Sequence, residues 1–158
     1  MEASETSAAS ATEPVGPVIF AYDGSELAKL AIEDAGRQLE SGRDALVVCV
    51  WQTGDVGFVP SSEQHFNAAE ATEVRSAAEE TAAYGALLAE KAGFRAQSKA
   101  IQGAPTWKGI VDAAGAHSAT LIVLGSHRRG GLAGHLLGSV ASAVVAHSEA
   151  AVLIARIP

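Results

Sequence analysis

The chain alternates short apolar runs with longer stretches in which apolar and polar residues mix. Four runs are continuously apolar, at residues 17–22, 45–51, 120–125 and 150–157. Such runs are typical of strands buried on both faces of a parallel sheet. A fifth segment, 94–102, alternates apolar with polar residues, which predicts a half-exposed strand at an edge. The pattern therefore predicts five strands.

Helices are predicted between the strands, where apolar residues recur at spacings of three and four. The first places Leu27, Ala31 and Ala35 on one face, and Ser25 stands where a capping side chain is needed. Strands that alternate with helices imply right-handed crossovers and helices on both faces of a sheet. We therefore expect an α/β fold, an open five-stranded parallel sheet of order 3-2-1-4-5. The predicted helices are 25–40, 68–92, 106–117 and 139–147, with a polar loop at 52–67 and a glycine-rich loop at 126–137.

The last strand raises a question about assembly, because this order puts a continuously apolar strand at an edge of the sheet. An exposed apolar edge promotes aggregation unless something covers it. The same strand of a second copy, paired about a two-fold axis, is the simplest cover. We expect a homodimer through the segment from Val152 to Ile157. The alternative is that a loop or the N-terminal tail covers this edge.

Length and composition define one domain with a tail. The chain has 158 residues, which suits a single domain. Residues 1–16 hold almost no large apolar side chain, so we predict a disordered tail at 1–16 and one domain at 17–158. No segment resembles a signal peptide or a bilayer-spanning helix, so the expected location is cytoplasmic. The single cysteine, Cys49, lies in an apolar run and is expected to be an inert core thiol.

The charge of the chain is acidic in total but uneven along its length. The formal net charge is −7, which argues against nucleic acid or an anionic membrane as a partner. No acid occurs between Asp112 and Glu149, whereas Arg128 and Arg129 lie there. This segment also holds a glycine-rich loop and the start of a helix at Gly138, and helix N-termini bind anions. The distribution favours a local phosphate site, against the alternative of a solvated loop whose glycines only make turns.

The expected strand order places this segment beside the end of the first strand, where the order reverses and ligands bind in open parallel sheets. Asp23-Gly24-Ser25 follows the first strand, Gly125-Ser126-His127 follows the fourth, and Gly138-Ser139-Val140 opens the last helix. In this arrangement the chain resembles the universal stress protein family over residues 18–157. Its nucleotide-binding members carry the motif G-x-x-G-x9-G-[ST] at this place.

The resemblance implies an adenine-nucleotide alpha-hydrolase-like fold with an adenine nucleotide in the switch-point cleft. The ligand would be ATP, or ADP or AMP, with Mg²⁺ possible on the phosphates. Gly138 and Ser139 would hold phosphates, Asp23 would lie near the adenosine, and the backbone of Val50 would meet the adenine. The implied binding residues are Ala21, Tyr22, Asp23, Val50, Gly125, Ser126, His127, Arg128, Gly130, Gly138, Ser139, Val140 and Ala141.

One position departs from the family motif. The second glycine of the motif falls on Arg128, and the nearby glycines are Gly130 and Gly131. Either Gly130 takes over that role, or Arg128 contacts the phosphates by its side chain, or nucleotide binding has been lost. Asp23 has two further readings, an Asx turn before the first helix or a phospho-acceptor. The second is disfavoured, because Ala21 and Tyr22 stand where a receiver domain needs an acidic pair.

Three functions remain open from the sequence. The first is an adenine-nucleotide-binding sensor or regulator in a stress response. The second is a slow Mg²⁺-dependent ATPase, with a water oriented by Asp23 or His127. The third is a nucleotide-free dimeric interaction protein. No metal-ligand spacing, P-loop or nucleophile elbow is present, so no metal site and no catalytic residue is predicted.

Overall fold

A computed structural model describes residues 15–53, 68–126 and 137–156. These residues form five strands and four helices that alternate along the chain. The elements are β1 (Val18–Ala21), α1 (Glu26–Gln38), β2 (Asp44–Trp51), α2 (Ala68–Lys91), β3 (Arg95–Gln102), α3 (Thr106–Ala116), β4 (Leu121–Ser126), α4 (Ser139–His147) and β5 (Ala151–Arg156).

The five strands form one sheet of order β3-β2-β1-β4-β5, and all pairs are parallel. The predicted fold class and strand order are confirmed. β1 lies at the centre, where Phe20 is level with Val47 of β2 and with Val123 of β4. One expectation was wrong in detail: Ser126, assigned to a loop, is the last residue of β4 and is buried.

The helices cover the sheet in two layers. α1 and α2 pack on one face, where Phe20, Val47 and Val123 lie in a single apolar cluster. α3 and α4 pack on the other, against a second cluster that includes Ile19 and Ile122. Successive strand residues point to opposite faces, which is why strands covered on both sides are continuously apolar. No helix in the described parts of the chain is long and apolar enough to cross a membrane.

The two edge strands differ as the sequence predicts. On β3, five of the eight residues are polar and exposed, whereas β5 keeps Val152, Leu153 and Ile154 half-buried. A small third cluster closes the space between α2 and the carboxyl ends of β2 and β3. It contains Cys49, which is buried, as expected for a core thiol.

At the amino edge of the sheet, Arg43 joins the start of the domain to the strand β4. Its guanidinium donates to the carbonyl oxygen of Gly16 at 3.2 Å and to the hydroxyl of Thr120 at 2.7 Å. The Thr120 hydroxyl in turn donates to the same carbonyl at 3.2 Å. These bonds anchor the backbone that enters β1, so the central strand is held at the edge opposite the candidate site.

α2 lies close to the sheet because residue 85 has no side chain. A Cβ at Gly85 would lie 2.6 Å from Cδ1 of Tyr22 and 2.7 Å from Cγ1 of Val47. Both neighbours are buried side chains of the central strands, so they have little room to move. The ring of Tyr22 occupies the space that this glycine leaves.

Gly85→Ala is therefore expected to destabilise the fold even though alanine favours helices. Overpacking costs about 1–3 kcal/mol, against a helix-propensity gain of up to about 1 kcal/mol. The matched control is Gly115→Ala on α3, where a Cβ meets nothing within 4 Å and stability should rise slightly. Urea denaturation of both variants checks this. Equal or higher stability of Gly85→Ala would show that the helix has room to shift.

Candidate functional site

The sheet register brings three of the predicted site segments into one row. Ala21 is level with Val48 and Phe20 is level with Val123, so the residues that follow these pairs, Asp23, Val50 and Ser126 among them, lie at the carboxyl ends of three adjacent strands. Neighbouring strands lie about 4.8 Å apart, so the row is about 10 Å wide. It stands at the carboxyl edge, where the strand order reverses.

The turn after β1 is shaped by Asp23. Its Oδ1 accepts a hydrogen bond of 2.9 Å from the backbone N–H of Ser25, and Gly24 between them has a positive φ of 83°. This is the Asx turn that the sequence left open as one reading of Asp23. Ser25 then caps α1 as predicted, since its hydroxyl accepts from the N–H of Ala28 at 3.1 Å. Asp23 itself remains exposed, so its carboxylate can still accept hydrogen bonds from a ligand.

Tyr22, by contrast, faces the core rather than the cleft. It is 4% exposed and belongs to the apolar cluster beneath α1 and α2. Burial, followed by the nearby Tyr84 and Asp23, raises the pKa of the Tyr22 phenol, which therefore stays neutral at physiological pH. Its backbone N–H donates to Val48 at 2.9 Å, so Tyr22 holds the end of β1 against β2.

The end of β2 is covered by the start of α3. A Cβ at Gly109 would lie 2.9 Å from Cγ1 of Val50, and a Cβ at Gly103 would lie 3.4 Å from Cα of Gly109. These two glycines let α3 rest directly on Val50. The side chain of Gln52 adds a hydrogen bond of 3.2 Å to the hydroxyl of Thr106. The side chain of Val50 is thus packed against α3, while its backbone lies at the carboxyl edge of the sheet.

Gly125 has a packing role that the sequence did not reveal. A Cβ there would lie 2.6 Å from Cγ of Leu27 and 2.9 Å from the Leu27 carbonyl oxygen. The glycine therefore lets α1 lie against β4 beside the point where the strand order reverses. Motif reasoning assigned this residue to the ligand, but the contact with Leu27 is sufficient to require a glycine.

Ser126 connects the end of β4 to the start of α4. It is the one buried polar side chain in the described part of the chain, at 6% exposure. Its hydroxyl oxygen accepts a hydrogen bond of 3.2 Å from the backbone N–H of Gly138. The N–H of Gly138 is therefore engaged within the protein, and the position of α4 relative to the sheet is set by this bond.

The N-terminus of α4 leaves donors for an anion. The first intrahelical bond runs from the N–H of Ser142 to the carbonyl of Gly138, so the N–H groups of Ser139, Val140 and Ala141 have no intrahelical acceptor. Gly138 is the N-cap residue and brings no capping side chain, and no acidic residue lies in the first turn. The positive end of the helix dipole adds to these donors. This helix start can hold a phosphate or another small anion.

Three predicted binding residues, His127, Arg128 and Gly130, lie outside the described residues. Within the described ranges no group of three His, Cys, Asp or Glu side chains could hold a metal ion. Sequence reasoning missed Leu27 and Gly109 as residues that shape the site. A glycine inside a predicted helix, as at Gly109, is a signal of close packing, but it does not identify the partner.

An open α/β sheet with donors at its switch point defines a class of small-ligand-binding domains. Comparison with known proteins identifies the family. The model of the universal stress protein family matches residues 15–156. A universal stress protein of Mycobacterium tuberculosis is 32% identical over 144 residues, covering 89% of this chain and 45% of the relative. The chain belongs to the universal stress protein family, and it spans less than half the length of the curated relatives it matches first.

Solved structures show the same fold. A universal stress protein in complex with cAMP aligns with a TM-score of 0.64 at 23% identity, covering 90% of this chain and 97% of that one. A universal stress protein from Archaeoglobus fulgidus in complex with dAMP aligns with a TM-score of 0.55 at 21% identity, covering 89% and 96%. The adenine-nucleotide alpha-hydrolase-like fold expected from the resemblance is confirmed.

Ser126→Ala should loosen the start of α4, because it leaves the N–H of Gly138 without its acceptor. The expected loss in the free energy of unfolding is about 1–2 kcal/mol. Ser142→Ala is the matched control on the same helix, since its exposed hydroxyl makes only a 3.3 Å bond to Leu137. Urea denaturation, with amide hydrogen exchange at residues 142–146, whose N–H groups are bonded within α4, measures both. An unchanged exchange rate in Ser126→Ala would contradict the positioning role.

Proposed function

We propose that this chain binds an adenine nucleotide in the cleft at the carboxyl edge of β1 and β4, and acts as a nucleotide-dependent sensor or regulator in a stress response. The observation that carries the proposal is the start of α4. Three backbone donors, no acid and no capping side chain occur together there, beside the point where the strand order reverses.

The two sides of the cleft suit the two ends of a nucleotide. On the α4 side, the N–H groups of residues 139–141 are donors for phosphate oxygens, and Ser139 adds an exposed hydroxyl. On the β2 side, the exposed carboxylate of Asp23 can accept hydrogen bonds from ribose hydroxyls. In this proposal the backbone of Val50, at the carboxyl end of β2, meets the base. Two structures of the same fold were determined with cAMP and with dAMP, which supports an adenine nucleotide as the ligand class.

The free space at Gly138 gives a sharp test. A Cβ at this position meets nothing within 4 Å, and its φ of −57° suits any residue. Gly138→Ala should therefore fold, with a loss of about 1 kcal/mol at the N-cap, yet place a methyl group where a phosphate approaches the helix. We expect the affinity for ATP to fall by about tenfold or more, measured by calorimetry on protein freed of co-purified nucleotide. Titrations with ADP, AMP and adenosine, with and without Mg²⁺, identify the preferred form.

The control is Gly115→Ala, which also adds a methyl group in open space. It lies near the end of α3, outside the residues that we propose bind the nucleotide. It should bind ATP as the unmodified protein does. If Gly138→Ala binds ATP as tightly as the unmodified protein, the phosphates do not bind at the start of α4. No heat with any adenine nucleotide at millimolar concentration would favour the third function that the sequence left open, a nucleotide-free interaction protein.

We further propose that two copies pair through β5. Val152, Leu153 and Ile154 are half-buried on this edge strand, and its outer side has no partner strand among the described residues. Apolar edges of this kind are stable when another strand covers them.

Val152→Glu should convert the dimer into a monomer, because it places a carboxylate in the paired edge. The control is Leu87→Glu, which changes an exposed apolar residue of α2. Sedimentation velocity at micromolar concentration distinguishes the two, and circular dichroism checks that each is folded. A monomeric unmodified protein, or a dimeric Val152→Glu variant, contradicts pairing through β5.

A further inference from the structure

The second edge of the sheet, at β3, borders a groove that the proposed nucleotide site does not use. α2 covers one face of β3, whereas α3 packs over β1 and β2, and no other described element covers the second face of β3. The contact of Gly109 with Val50 explains this, since it draws α3 towards β2. The groove between β3 and α3 has a volume of about 590 Å³ and runs from Gly103 to His117.

The groove offers one lysine without an ionic partner. Lys99 of β3 lines the groove and makes no ion pair with any described residue, while Lys108 and His117 line the α3 side. Among the described lining residues Asp112 is the one acid, and it is paired with Lys108, whose ammonium keeps further N–H donors. Lys99 therefore supplies a local positive charge that favours a ligand with carboxylates.

β3 also offers hydrogen bonds along its outer side. All eight of its residues pair with β2, and β3 is the last strand on this side of the described sheet. Alternate backbone N–H and C=O groups therefore point outward, as they do on any edge strand. An extended peptide can satisfy these groups by adding as a further strand. Ile101 gives the groove an apolar floor for one of its side chains.

A second copy of this chain does not suit the same edge. Arg95 is already paired with Asp44, but pairing of two β3 edges would bring the unpaired Lys99 of one copy towards that of the other, and like charges on paired strands are destabilising. Lysine on an edge strand commonly protects against such self-association. The same lysine attracts an acidic strand. One positive charge therefore both disfavours self-association through β3 and favours an acidic partner.

We propose that the β3–α3 groove is a docking site for an extended, acidic segment of another protein, which adds beside β3 as a sixth strand with its carboxylates towards Lys99 and Lys108. This gives the domain a protein-binding surface at the edge of the sheet opposite β5. It is independent of whether a nucleotide binds.

The test uses ¹⁵N-labelled full-length chain and a synthetic eight-residue peptide of alternating Glu and Thr, with a Lys-Thr peptide as the control probe. We expect the acidic peptide to shift the amides of residues 95–102 and 108–117 and to slow exchange of amides on the outer side of β3. Lys99→Glu should weaken binding about five- to tenfold, and raised salt should weaken it too. The matched variant Lys29→Glu on α1 should bind as the unmodified protein does.

Any of the following results would overturn the proposal. One is the absence of shifts in these residues at millimolar acidic peptide. Another is equal binding of the Lys-Thr peptide or of Lys99→Glu. Shifts without slower exchange on β3 would exclude strand addition. Slower exchange that depends only on protein concentration would identify a second copy as the occupant, and shifts of the groove by inorganic phosphate alone would make it a small-anion site.

Discussion

The approach of α1 to β4 at Leu27 and Gly125 is the contact on which the rest of the site depends. α1 follows β1 and packs mainly against β4 and β5, on the side of β1 away from β2. A Cβ at Gly125 would lie 2.6 Å from Cγ of Leu27, so a side chain at this position would push the helix away. Leu27 follows the Asp23–Ser25 turn by two residues, so the contact also holds this turn near the end of β4. The cleft is thus bordered by a helix and a strand that meet without an intervening side chain.

Two further glycines allow a helix to lie close to the sheet in the same way. Gly85 brings α2 onto Tyr22, and Gly109 brings α3 onto Val50. Each places a helix against one of the strands that end at the cleft, and each leaves a particular strand side chain immobile. The carboxyl edge of the sheet is consequently rigid from β2 to β4, which suits a site whose ligand contacts are mostly backbone groups.

Much of the fold could be predicted from the sequence because burial on two faces leaves a direct mark. The apolar runs at β1, β2 and β4 marked three central strands and the alternation at β3 marked one edge, but the pattern alone did not place the apolar β5 at the other edge. The Ser25 cap was predictable from local chemistry. The roles of Gly125 and Ser126 were not, because they depend on contacts with Leu27 and Gly138, which lie far along the chain. A motif marks such residues as important without distinguishing a ligand contact from a packing constraint.

The bond between Ser126 and Gly138 joins two residues twelve positions apart in the chain. Both of its partners stand at the ends of regular elements, so the bond holds the start of α4 directly against the end of β4. Closing the chain at these two points means that the strand and the helix act as one unit. A single hydroxyl at the end of a strand thereby sets the direction of a helix dipole.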